Sequence, residues 1–268
     1  MKQTKDELAR IYGDVEKRWR ETLKEEKKSR PSDTYPSVRL IHDGYTLAVG
    51  AYLLENNIAA FVEKVNLVLQ TIAKLYQRHE AGEVIDLVRD WPFQHEFFFY
   101  ALCINDLDFA TELANKCDPE QLQPTEQQHP FNEEFTYALR LLLLDNNTEA
   151  KAWIDKFEKR CQHKKNAMYA GYAAAFRAIS DKDPKALDKA LQKMVDDYPR
   201  QSKSGEFFHH VHKALLCFYG VGMIHLARHH GLSVSFDHPL IPKALSDLPP
   251  HVYVPPKTGL FNTLLKGS

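Results

Sequence analysis

The chain has 268 residues, 44% of them hydrophobic, enough to fill a sizeable core in one large domain or two small ones. Its 35 basic and 36 acidic residues leave a net charge of −1, which excludes a global field that would gather nucleic acid or an anionic membrane. Only 11 residues are glycine, a balance that favours helix. The 4 cysteines (Cys103, Cys117, Cys161, Cys217) form no Cys-x-x-Cys pair and read as small buried hydrophobes in a reducing compartment.

In chain order, the opening residues MKQTKDELAR lack the apolar core of a signal peptide, and a cytosolic protein is expected. Leu8, Ile11, Val15, Trp19 and Leu23 recur at helical spacing, so residues 1–30 predict an amphipathic helix followed by a loop bounded by Pro31 and Pro36. From Val38 onward one unit repeats: an apolar helix, an Asn/Asp break, an amphipathic helix. The breaks fall at Asn56 and Asn57, Asn105 and Asp106, Asn146 and Asn147, and Asp181 with Asp183. Their separations of roughly 49, 41 and 36 residues lie in the range of helical-hairpin repeats. The predicted pairs are 45–54 with 58–76, 96–104 with 109–117, 134–144 with 149–161, and 167–179 with 185–198. Thr148 is the expected cap of the helix that carries Ala150, Ile154 and Phe157. Asp183 followed by Pro184 makes a second helix start. The polar, proline-marked run 118–130 is the expected internal seam.

Residues 205–245 then read as one long buried helix with a cap. Phe208, Val211, Leu215, Phe218, Gly222, His225 and His229 share a face, and Leu216, Tyr219, Met223 and Leu226 make the other side apolar too. Charged and histidine interruptions exclude a membrane span. Gly220 and Gly222 predict the close approach of a neighbouring helix, and Gly231 a left-handed stop. A short extended piece over 232–236, punctuation at Pro239 and Pro242, and a proline-rich extended tail over 246–268 complete the chain; Phe261, Leu264 and Leu265 are candidates to dock it. The expectation is an all-α fold in a single domain over 1–268: an N-terminal helix in 1–30, stacked antiparallel hairpins over 38–200, and a central C-terminal helix. It resembles a tetratricopeptide-like right-handed array.

Local chemistry is sparse. His225 and His229, one turn apart, have usable metal spacing, but no glutamate makes them a His-Glu-x-x-His motif; histidines bonded to backbone carbonyls account for the pattern more simply. No metal and no cofactor are therefore expected. Beside His42, Asp43 reads as a residue at the positive end of a helix starting near Tyr45. No nucleophile elbow and no phosphate loop occur, and Cys217 inside an apolar helix is expected to be inert. The aromatic run of Trp91, Phe93, Phe97, Phe98, Phe99 and Tyr100 lacks interleaved cations and reads as core rather than a base-stacking platform. Acids gather at the hairpin breaks: Asp106, Asp108, Glu112, Glu133, Glu134, Asp145, Asp181 and Asp183. If the breaks share one edge, these form a partner-binding surface for a basic protein.

The stretch FYGVGMIHLARHHGLSVSFDHPLIPKAL resembles the C-terminal signature of the bacterial polymorphic-toxin immunity protein 49 family. The matching features are the small-residue apolar helix over 214–227, the basic and histidine end at Arg228, His229 and His230, Gly231, and the acid–proline segment with Asp237, Pro239, Ile241, Pro242 and Leu245. The resemblance implies a bacterial cytosolic protein that binds and neutralises a cognate toxin encoded by an adjacent gene. It implies no catalytic residue. Two other readings compete: a helical-repeat adaptor for protein–protein contacts, and a metal enzyme built on the histidines.

Overall fold

The computed structural model describes residues 4–26, 34–82, 95–117 and 133–254. The described residues are all-helical, with neighbouring helices packed on one another, and contain no β-strand. They divide into two compact units: residues 4–82 with 252–254, and residues 95–117 with 133–251. The expected seam at 118–130, Trp91, Phe93, Pro31 and the docking residues of the tail lie outside the described residues.

The first unit holds α1 (Lys5–Glu26), α2 (Tyr35–Leu53) and α3 (Ile58–Glu80). Leu8, Val15 and Leu23 bury the apolar stripe of α1. The second helix starts ten residues before the expected Tyr45, because Pro36 falls in its first turn, where a missing N–H costs nothing. Asp43 is therefore not at a helix start. It lies buried in mid-helix, bound by Arg18 through Nε–Oδ2 at 2.8 Å and Nη2–Oδ1 at 2.6 Å. Burial alone would raise its pKa, but hydrogen bonds from Arg18 and His42 hold it below the usual value. Residues 252–254 lie along α3, where Gln70 Nε2 donates to the Val254 carbonyl at 2.8 Å.

The second unit contains α4 (His95–Leu102), α5 (Leu107–Lys116), α6 (Glu133–Leu143), α7 (Asn147–Cys161), α8 (Ala170–Asp181) and α9 (Pro184–Gln201), with a 3₁₀ turn at Ala167–Tyr169. Three of its breaks share one backbone design. The chain leaves each helix through a residue at positive φ: Asn105 (60°), Asp145 (54°) and Lys182 (56°). The next residue caps the following helix. Asp106 accepts from Phe109 N, Asn146 from Glu149 N, and Asp183 from Lys185 N and Ala186 N. Backbone bonds from Asp106 to Ala101, Asn146 to Leu141 and Asp183 to Ala178 close each turn, so each break supplies partners to one or two orphan groups at both helix ends. Thr148, the expected cap of α7, is replaced by Asn146, because the turn closes two residues earlier.

The long C-terminal helix is broken in two: α10 (Val211–Leu215) and α11 (Phe218–His229). Periodicity does not register the tertiary competitors for its backbone. The Tyr198 hydroxyl donates to the carbonyls of Lys213 (2.6 Å) and Leu216 (3.2 Å). Cys217 N donates instead to Leu240 O at 2.8 Å, and Leu216 is extended. Residues 205–210 are turns rather than helix, so Phe208 does not continue the expected helical face, and Gly220 packs against the Ile241 side chain of the following loop rather than a helix. The expectations for Gly222 and Gly231 hold. Gly231 stops the helix at φ 84°. A side chain at Gly222 would meet Phe99 and Leu102 at 2.7 and 2.9 Å, so glycine is what lets α11 touch α4. Phe99 and Tyr219 stack at 4.1 Å in the seam, and Phe97, Phe98 and Tyr100 are buried with them. Leu232 and Val234 turn inward while Ser233 and Ser235 face out. The short α12 (Lys243–Ser246) is capped by Asp237, and residues 247–254 carry no regular structure.

Candidate interaction surfaces

The acids expected to form one surface serve different ends. Asp106 is fully buried as the cap of α5: Oδ1 accepts from Phe109 N at 3.0 Å and Oδ2 has no partner. Burial pushes its pKa up to about 6. Glu134 is also buried, ion-paired to Arg160. These two are corrected out of the expected surface. Glu133 is half-buried in the first turn of α6. Asp108 and Glu112 are exposed on α5, with Glu112 bound to Lys116 at 3.3 Å. Asp145 is exposed, with the rings of His229 and His230 at 3.9 and 3.7 Å. Asp181 pairs with Lys151 at 2.9 Å, and Asp183 is exposed but committed to its cap. Cations interleave with acids along these turns, and no single-sign face results.

The histidines likewise hold structure. His225 is buried with Nε2 3.1 Å from the Leu245 carbonyl, and burial lowers its pKa to about 4. His230 Nε2 lies 3.1 Å from the Leu142 carbonyl, while His229 is exposed. Among the described residues no group of three or more His, Cys, Asp or Glu side chains is arranged to hold a metal. All 4 cysteines are buried, and burial raises the Cys217 thiol to about 12, where it is no nucleophile at neutral pH.

Two features went unread in the sequence. The first is a buried ion pair between Glu96 and Lys213, whose side chains are only 4% and 9% exposed. Its signal is one acid opening an aromatic run and one lysine inside an apolar helix. The second is an open cleft of about 790 Å³ at the C-terminal end of α7, lined by Glu134, Lys156, Lys159, Arg160, His163, Lys164, Lys165 and Asn166. Its signal is the run KFEKRCQHKK, masked by the balanced charge of the whole chain.

The helix separates its charges by face. Asp155 and Glu158 turn to Arg177 of α8, which bonds both. Lys156, Lys159, His163, Lys164 and Lys165 are exposed at the cleft. Lys156 Nζ sits 3.6 Å over the Trp153 ring, which also stacks on Tyr137 at 4.3 Å. Glu134 and Arg160 make the floor, where Arg160 Nε and Glu134 Oε2 are buried without a hydrogen-bond partner. Part of this basic bias is ordinary: cations are favoured at a helix C-terminus. That effect fades within the last turn, however, and Lys164 and Lys165 lie beyond Cys161.

Comparison with protein-family models, curated proteins and solved structures returns no match.

Proposed function

We propose that this chain is an immunity protein: it binds a cognate bacterial toxin, encoded by an adjacent gene, and neutralises it by occlusion without catalysis, in the cytoplasm. The observation that carries the reading is the resemblance of residues 218–245 to an immunity-family signature. The architecture supports it, since every element of that stretch serves the scaffold. Gly222 admits α4, Gly231 ends α11, and Arg228 binds Val234 O at 2.9 Å and Asp247 at 2.9 Å. A signature of that kind leaves the outer surface free to vary with the toxin. In the same reading the helical pairs within each unit stack as tetratricopeptide-like right-handed hairpins. The exposed acids Asp108, Glu112, Asp145 and Asp181 are its candidate contacts with a basic toxin.

The test is co-expression with the product of the gene immediately upstream in the source bacterium. Protection from that product's toxicity, together with a stable purified complex, is the expected result. A toxic neighbour that this chain neither binds nor suppresses overturns the reading and moves the weight to a helical adaptor with partners from unrelated pathways.

A further inference from the structure

We propose that the cleft at the C-terminal end of α7 seats an acidic segment of a protein partner. This goes beyond the immunity reading, because it specifies the chemistry of one contact whatever protein supplies it. Lys159, Lys164 and Lys165 are exposed at the cleft, and none of them makes an ion pair among the described residues. The acids nearest in sequence are spent on Arg177, across the helix. A cluster of like charges left without counter-charges repels itself, and the arriving partner is what relieves that repulsion.

The side chains select the partner's class. The Trp153 ring is covered by Tyr137 and by the Lys156 ammonium, so it offers no free face for a nucleobase. Among the described residues lining the cleft, the one guanidinium, Arg160, is committed to Glu134, which removes the bidentate fork that favours phosphate. What remains is a set of compact ammonium charges on flexible stems, suited to carboxylates scattered along a polypeptide.

The test uses the full chain and a fluorescein-labelled oligoglutamate ten-mer, followed by anisotropy at low and physiological salt. Saturable, salt-sensitive binding is expected. The double variant Lys164→Glu/Lys165→Glu should weaken it by at least about tenfold. A matched control, Lys185→Glu/Lys189→Glu, on exposed positions of α9, should change it less than about twofold. Melting curves of both variants confirm that each is folded. Absence of saturable binding, equal loss in both variants, or tighter binding of a single-stranded DNA ten-mer overturns the proposal. The last outcome would make the cleft a nucleic-acid site. None of these outcomes bears on toxin neutralisation, which the co-expression experiment reads separately.

Discussion

Two regions of this molecule rich in basic and histidine side chains use them in opposite ways. In residues 205–251, Lys213, His225, Arg228 and His230 point inward, each onto a named acid or carbonyl. In residues 156–166 the lysines point outward, and the nearby acids are turned away from them. The first region is where histidines looked chemically suggestive in sequence, and the fold uses His225 and His230 to bond backbone carbonyls. The second is plain in sequence and leaves its charge unspent. A charged residue informs about function to the extent that the structure leaves it without a task.

The largest effect should come from the most deeply used charge. Lys213→Met leaves Glu96 buried without its cation and should cost about 3–5 kcal/mol, read by denaturant unfolding. The double variant Glu96→Gln/Lys213→Met should recover most of that loss, because an isolated buried charge costs more than a missing pair. A single variant that loses under ~1 kcal/mol would show that Glu96 is not stranded, and the inward region would lose its defining feature. Next comes the seam between α4 and α11. Gly222→Val places methyl groups where Phe99 and Leu102 already sit, and should cost about 1–3 kcal/mol from overpacking. An unchanged melting temperature would mean that the seam relaxes freely.

Helix existence was legible because apolar spacing and Asx breaks are local signals. The pairs flanking Asn105, Asn146 and Asp183 fall within a few residues of their expected bounds. The repeated turn was only half legible. The capping residue is readable as Asp or Asn, but Lys182 at positive φ carries no such mark. The break at Leu216 was not legible at all, since its cause is the Tyr198 hydroxyl from another helix. Burial of Asp106 and Glu134 was equally hidden, because a turn acid reads the same whether solvated or buried. The basic cleft was written in contiguous residues, yet a net charge near zero over the whole chain conceals it.

A pH titration reads what burial does to two inward-facing groups, His225 and Asp106. His225 is held well below its ordinary pKa of 6.5, at about 4, so the fold favours its neutral form. Its contribution to stability is complete above pH 6.5 and is lost as pH falls toward 4. Asp106 works against it. Its pKa is raised from 3.8 to about 6, so its contribution is complete below 3.8 and is lost as pH rises through 6. The two offset each other between about pH 4 and 6. Asp106→Asn keeps a capping oxygen and removes the charge. It should raise stability at neutral pH by about 1–2 kcal/mol and make the loss on acidification steeper. A variant with an unchanged pH profile would show that Asp106 is ionised at no cost.

The smallest effect on stability belongs to the cleft, and that smallness is the informative result. Lys164→Ala/Lys165→Ala removes two exposed side chains beyond the last turn of α7. Stability should move by no more than about 0.5 kcal/mol, as for surface positions without partners. Lys159→Ala, inside the last turn, should cost a few tenths more through the helix dipole, about 0.3–1 kcal/mol at low salt. A gain on removing Lys164 and Lys165 would sharpen the contrast, since it would measure like-charge repulsion that the folded chain bears without structural return. A loss above about 1 kcal/mol would instead give these lysines a task in holding the fold, and the difference between the two regions would vanish.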